Sequence, residues 1–207
     1  MTDRPKIPPC AAIILAGGLN SRMGGRNKAF LQVDGKAILD RLVSVLSPIF
    51  DEILLVTRQP DCYAGQSLKI VTDLYEDRSS LTGIHAGLIN AASPHAFVVP
   101  CDAPFLKPAV VRLLLEALKP ELDVVVPAVG GHFQPLCAIY SRRCIPAVEA
   151  QLDQGDYKII RFYDRMRVKT IGAPAIQAVD PQMHSFFNIN TPEALADSRR
   201  LTQDGGY

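Results

Sequence analysis

Short runs of apolar, largely β-branched residues recur along this chain without the polar alternation that a half-exposed strand shows. The runs are Ala11-Ala12-Ile13-Ile14-Leu15, Ile53-Leu54-Leu55-Val56, Ile70-Val71, Ala96-Phe97-Val98-Val99 and Val124-Val125-Val126. A strand that is apolar on both sides must be covered on both sides, and a parallel sheet with crossover helices does this. Helical periods lie between the runs. Within residues 37–49, Ile38, Leu39, Leu42, Val45, Leu46 and Ile49 share one helical face, and residues 81–92, 110–118 and 145–152 also read as helices. Residues 136–140 and 167–171 read as two further strands. A last helix opens on Thr191 as N-cap, with Pro192 in the first helical position and Glu193 suited to the dipole. The expected architecture is a three-layer α/β sandwich, with a mostly parallel, Rossmann-like sheet and helices on both faces. At 207 residues and 48% hydrophobic content, one domain with an ample core accounts for the chain. Residues 203–207 are expected to fray.

Bulk properties exclude several function classes. The net charge is +1, with 22 basic against 21 acidic residues, so no global field draws the chain to nucleic acid or membrane. Cys10, Cys62, Cys101, Cys137 and Cys144 show no C-x-x-C spacing and are odd in number. They are expected to be reduced thiols in a cytoplasmic protein rather than a disulfide framework or a zinc site. The N-terminal segment has the character of neither a signal peptide nor a membrane span. A monomer is expected.

In open α/β sheets, ligands bind beyond the carboxyl ends of the strands. Gly17 and Gly18 follow the first run, Thr57 and Arg58 the second, Asp73 the third, and Cys101 and Asp102 the fourth. Topology alone brings glycines, cations and two carboxylates to one edge. The segment Leu15-Ala16-Gly17-Gly18-Leu19-Asn20-Ser21-Arg22-Met23-Gly24-Gly25-Arg26-Asn27-Lys28 is the richest of these. Its four glycines in nine residues let backbone N–H groups close on an anion, and Arg22, Arg26 and Lys28 add full charges. A triphosphate is the ligand that matches, although a charged surface loop would share the composition. The segment is not a Walker A loop, because Lys28 follows Asn27 and precedes Ala29. Its paired glycines also differ from the dinucleotide G-x-G-x-x-G.

Asp102 lies in Val98-Val99-Pro100-Cys101-Asp102-Ala103-Pro104-Phe105, presented between prolines. Mg²⁺ favours one or two carboxylates plus substrate phosphates, which makes Asp102 the candidate metal ligand; capping a turn is its alternative role. Asp73 suits a ribose hydroxyl, a base or the metal, or a plain turn. Asn188 and Asn190, two apart in an extended stretch, point the same way and suit a polar second substrate or a metal-bound water, or else a capping turn. His85, His95, His132 and His184 are scattered, with no neighbouring nucleophile to suggest a hydrolase triad.

The string from Leu15 to Lys28 resembles the L-A-G-G-x-S-x-R-M-G-x-x-K signature of small nucleotidyltransferases. Pro100-Cys101-Asp102-Ala103-Pro104-Phe105, Leu81-Thr82-Gly83-Ile84 and Asn188-Ile189-Asn190-Thr191-Pro192-Glu193 resemble segments of one family among them, the molybdenum cofactor guanylyltransferases. The likeness runs from residue 11 to about 200. It implies the nucleotide-diphospho-sugar transferase-like form of the α/β sandwich, with a nucleotide-binding half at about 11–105 and an acceptor-binding half at about 106–200. It also implies that Leu15, Ala16, Gly17 and Gly18 lie against the nucleotide, with Thr57 near the base and Asp73 at the nucleoside. Lys28 and Arg22 would hold phosphates, and Asp102 would hold nucleotide and Mg²⁺. Thr57 stands where the family often has Asn, and Ser79-Ser80 where it has Gly-Pro.

The implied reaction is transfer of GMP from GTP to the terminal phosphate of molybdopterin, with release of pyrophosphate. Transient contact with cofactor-supplying or cofactor-accepting proteins would accompany it. Three other readings stay open on sequence: a cytidylyltransferase on the same acceptor, a nucleotidyltransferase for sugar phosphates, and a non-catalytic GTP-binding carrier of the cofactor.

Overall fold

The structure, a computed structural model, describes residues 8–17 and 27–203. Gly18, Arg22, Gly24, Gly25 and Arg26 of the glycine-rich segment, and residues 204–207 of the expected tail, lie outside the described residues.

Strand β1 (Cys10–Leu15) is central to one sheet. It pairs in parallel with β4 (Ile53–Val56) on one side and with β6 (His95–Pro100) on the other. Before β4 comes a hairpin of β2 (Gln32–Val33) and β3 (Lys36–Ala37), followed by helix α1 (Ile38–Leu46). Strand β5 (Lys69–Val71) extends the sheet in parallel beyond β4. Helix α2 (Ser80–Asn90) precedes β6, and α3 (Pro108–Ala117) separates β6 from β7 (Val124–Val129). A tight turn joins β7 to β8 (His132–Phe133), and β9 (Ala138–Ser141) then runs antiparallel between β6 and β7. Helix α4 (Ile145–Leu152), strand β10 (Val168–Gly172), helix α5 (Ala173–Val179) and helix α6 (Pro192–Gln203) complete the order. Across the sheet the strands run β10-β7-β9-β6-β1-β4-β5, all parallel but β9, with β8 appended to β7. The mostly parallel sheet expected from the apolar runs is present.

Both faces are covered, and β1 shows how. Ala12 and Ile14 enter the layer packed by α1, α3 and α5, whereas Ala11, Ile13 and Leu15 enter the layer packed by α2 and α4. The period of two in side-chain direction therefore divides one apolar run between two cores. Helix α2 presses closest. A Cβ on Gly87 would lie 2.6 Å from Ile13 Cδ1, so only glycine lets this helix sit against β1 at that depth. The N-terminus of α2 is closed by Ser79, whose Oγ accepts from Thr82 N at 3.1 Å while Thr82 Oγ1 accepts from Ser79 N at 3.3 Å.

The end of the sheet away from the strand C-termini carries a charge clasp. Asp123, buried just before β7, takes Arg143 Nε at 2.7 Å and Arg167 Nε at 3.0 Å, and also accepts from Arg167 N at 3.0 Å. Burial by itself would raise its carboxyl, but these hydrogen bonds from Arg167 and Arg143 hold it well below the usual carboxylate range. The clasp joins the starts of β7 and β10 to the turn after β9.

The sequence pattern missed β2, β3, β8 and α5. The first helix is also shorter than the 37–49 expected. The final helix does start as expected, with Thr191 Oγ1 accepting from Ala194 N at 3.2 Å. All five cysteines stand unpaired. Among the described residues, no helix is long and apolar enough to cross a membrane.

Candidate active site

A cleft of about 340 Å³ opens over the carboxyl ends of β1, β4, β5 and β6. One end of it is built from three distant stretches of chain. Asn27 Oδ1 accepts from Ala29 N at 3.1 Å and so caps the 3₁₀ turn Lys28–Phe30. The same side chain bonds the hydroxyl of fully buried Tyr63 at 2.9 Å, which anchors the turn to the core. Lys28 leaves this turn with Nζ 3.0 Å from Asp102 Oδ2 and 2.6 Å from Asn190 Oδ1. Asp102 is held from both sides: Cys101 N donates to Leu15 O at 2.9 Å, and Ile189 N donates to the Asp102 carbonyl at 2.8 Å. Ile189 is fully buried, so the extended stretch turns Asn188 and Asn190 to the cleft. Leu15, Ala16 and Gly17 line the floor.

The opposite wall comes from the segments after β4 and β5. The Thr57 hydroxyl is buried, donates to Ala16 O at 3.2 Å and accepts from Gln59 N at 3.1 Å. It therefore ties the start of the glycine-rich segment to β4. Asp73 lines the cleft with both oxygens engaged: Oδ1 accepts from Tyr75 N at 3.1 Å, and Oδ2 accepts from Thr82 Oγ1 at 2.6 Å beside the Arg58 guanidinium at 3.5 Å. Arg58, Arg78, Ser79, Ser80 and Leu136 also line the cleft.

Of the residues singled out on sequence, Leu15, Ala16, Gly17, Lys28, Thr57, Asp73, Asp102, Asn188 and Asn190 meet in this one cleft. Gly18 and Arg22 lie outside the described residues. Sequence reasoning missed Arg78 and Leu136, and named Ser80 only as a departure, with Ser79, from the resembled segment. The signal for Arg78 was its place just before the Ser79 cap of α2; Leu136 carried none.

None of the four histidines is among the lining residues, and His85 packs in α2 with Nε2 3.0 Å from Glu149 Oε1. Burial pushes the Cys101 thiol up to about 12, so a thiolate nucleophile is not on offer at neutral pH. What the cleft provides is cations, carboxylates and backbone facing one another, which suits binding and charge neutralisation of a polyphosphate. Among the described residues, no three His, Cys, Asp or Glu side chains gather as a metal cage. Mg²⁺ does not need one, because substrate phosphates and water fill most of its octahedron. Among the described residues Asp102 engages only Oδ2, and the other oxygen of this carboxylate fits that mode.

Comparison with known proteins agrees with the geometry. The family described as MobA-like NTP transferase domain matches residues 12–168. The molybdenum cofactor guanylyltransferase of Desulfosudis oleivorans is 42% identical over 193 residues, 93% of this chain and 96% of that protein. The molybdenum cofactor guanylyltransferase of Vibrio cholerae is 34% identical over 188 residues, covering 89% and 88%. Among solved structures, molybdopterin-guanine dinucleotide biosynthesis protein A from Archaeoglobus fulgidus superposes with a TM-score of 0.82 at 27% identity, over 94% of this chain and 99% of that one. CMP:2-keto-3-deoxy-manno-octonic acid synthetase shares the fold, with a TM-score of 0.72 at 14% identity over 95% and 99%. The mostly parallel sheet, with β9 reversed between β6 and β7, is thus the nucleotide-diphospho-sugar transferase fold, and the chain belongs to the MobA-like NTP transferase family of nucleotidyltransferases.

Proposed function

We propose that the protein transfers GMP from GTP to the terminal phosphate of molybdopterin, yielding the guanine dinucleotide form of the cofactor and pyrophosphate. The observation that carries this reading is the junction of Lys28, Asp102 and Asn190 in one cleft. It joins the signature segment, the end of β6 and the N-x-N-T-P-E stretch, the same three segments whose combination resembles the guanylyltransferases.

In this reading the two halves of the chain divide the work. Residues 11–105 hold the nucleotide, with Leu15, Ala16, Gly17 and Gly18 against it and Asp73 and Thr57 at the nucleoside end. Residues 106–200 complete the acceptor side with Asn188 and Asn190. Lys28 and Arg22 neutralise the leaving pyrophosphate. Asp102 would hold Mg²⁺, which would supply charge neutralisation at the phosphates. No general base is needed, because the attacking phosphate is already ionised near neutral pH. The residues act by positioning and by preset electrostatics. Lys28 would exchange its bonds to Asp102 and Asn190 for phosphate oxygens when nucleotide enters. We place the protein in the cytoplasm as a monomer that meets cofactor-supplying and cofactor-accepting proteins only transiently.

The test is pyrophosphate release by purified protein with Mg²⁺ and molybdopterin, comparing GTP with CTP, ATP and UTP. Release with GTP alone, dependent on the pterin, is expected. Release with CTP instead would move the protein to cytidylyl transfer. GTP binding without any release would sink the enzyme reading in favour of a carrier.

A further inference from the structure

Asn188 and Asn190 reach the cleft on a stretch between α5 and α6 that has neither a strand nor an α-helix of its own. Side-chain direction in an extended segment flips with a slip of one residue, so something must set its register. The stretch lies along residues 102–107, which are themselves held. Arg41 Nε donates to Pro104 O at 3.0 Å, and its guanidinium lies 5.8 Å from the ring centre of buried Phe105. Three contacts pair the two segments. Ile189 N donates to the Asp102 carbonyl, the Phe187 and Phe105 rings stand 5.8 Å apart, and Lys107 N donates to Ser185 Oγ at 3.0 Å.

Behind these contacts stands Asp180, the residue that closes α5 and is fully buried. Its Oδ2 accepts from Ser185 N at 2.8 Å, and Lys107 Nζ lies 3.1 Å from Oδ1. Its carbonyl accepts from Met183 N at 2.9 Å, where the chain reverses with Met183 at a φ of 55°. Burial by itself would raise the Asp180 carboxyl, but Ser185 and the Lys107 cation hold it below its ordinary value. Asp180 is not among the residues lining the cleft, so any effect on the chemistry runs through the stretch it holds.

We propose that Asp180 is a positioning residue for the acceptor side: by accepting from Ser185 N it fixes residues 184–190 in register on residues 102–107, and so turns Asn188 and Asn190 to the cleft. The proposal rests on the guanylyl reading above and deepens it. The hydrogen bond to the backbone sets the register, and the ion pair with Lys107 serves stability.

The test compares two double variants of the full chain, Asp180→Asn/Lys107→Met and Asp180→Ala/Lys107→Met. Both remove the ion pair, and only the first keeps an acceptor for Ser185 N. Pyrophosphate release is followed against molybdopterin at saturating Mg·GTP, and against GTP at saturating molybdopterin. In the alanine double the KM for molybdopterin is expected to rise about tenfold, the scale of one lost hydrogen bond in a buried site, with the KM for GTP within about threefold of wild type. Amide hydrogen exchange at Ile189 should speed up about tenfold, with the β6 amides still protected. The asparagine double should match wild type in all three readouts, although it melts lower. Ser185→Ala, which cuts the bond to Lys107 N, carries the test if the alanine double does not fold, with an expected rise of about threefold in the KM for molybdopterin. The same KM for molybdopterin in the two doubles, a parallel rise in both KM values, an unchanged Ile189 exchange rate, or an unchanged KM in Ser185→Ala would overturn this inference alone. A wild-type protein without pterin-dependent release would overturn the guanylyl reading, and the exchange rates would then decide the positioning role by themselves.

Discussion

Replacing Gly87 with alanine tests the contact that brings α2 against β1. The added Cβ would lie 2.6, 2.8 and 3.0 Å from Cδ1, Cγ2 and Cγ1 of Ile13. Carbon atoms in ordinary contact sit about 3.5–4.0 Å apart, so helix and strand must separate by up to ~1 Å. Ile13 has no room to yield, being fully buried in a central strand with α2 above it. Overpacking of this kind costs about 1–3 kcal/mol, and exchanging glycine for alanine in a helix returns up to ~1 kcal/mol. With the full return the net loss is about 0–2 kcal/mol, or a fall in Tm of up to roughly 8 °C for a chain of this size. Gly83, one turn earlier, supplies the control. Its Cβ would meet only the Leu15 Cδ2 tip at 3.1 Å and Val56 Cγ1 at 3.9 Å, and Leu15 can swing toward the cleft. Gly83→Ala gains the same helix propensity without the clash and should melt at or above wild type. Thermal melts followed by circular dichroism decide the matter. A Gly87→Ala protein as stable as Gly83→Ala would refute the view that glycine is required here by packing.

Three other outcomes follow from the geometry. Lys28→Ala and Asp102→Ala should each slow pyrophosphate release by about 10²–10³, or ~3–4 kcal/mol of transition-state stabilisation, and near-wild-type turnover in either folded variant would remove that residue from the machinery. Asp123 titrates below its unfolded value, so the stability it adds is present above the unfolded pKa of about 3.9 and is lost as pH falls beneath it. Asp123→Asn should cost about 1–3 kcal/mol at pH 7 and flatten the stability profile below about pH 4, and denaturant melts across pH would show an unaltered profile if the clasp contributes nothing. Thr57→Val keeps the shape but leaves the Ala16 carbonyl without its hydroxyl donor, so about 1–3 kcal/mol of stability and part of the GTP affinity should go; calorimetry that finds both intact would reject the tether.

Much of this was readable in the amino-acid order, for identifiable reasons. The strand runs were legible because burial on both faces leaves no polar positions, as the division of β1 between two cores shows. The β2–β3 hairpin went unread although Asp34-Gly35 is a strong turn signal, with φ of 52° and 69°. Two-residue strands carry too little pattern beside it. The same holds for β8, joined to β7 through Gly130 and Gly131. The reversal of β9 was invisible because an apolar run has no direction until its neighbours are known. In the cleft, Asp73 and Asp102 were legible from their places at strand ends, and Lys28 from the glycine-rich segment that follows β1. The hydrogen bonds from the Arg58 guanidinium to the carbonyls of Tyr75, Glu76 and Asp77 were not, since a carbonyl is offered by every residue and leaves no mark in the side-chain sequence.

The bond from Lys28 to Asn190 spans 162 positions, and that from Lys28 to Asp102 spans 74. During synthesis the glycine-rich segment emerges early and its partners late. A nascent chain that ends before residue 188 can form β1, β4, β5 and β6, yet its lysine lacks one of the two partners that hold it in register. A polypeptide that lacks Asn190 therefore carries the signature segment without the full junction of Lys28, Asp102 and Asn190. Closing the longer loop costs about 0.7 kcal/mol more chain entropy than closing the shorter one.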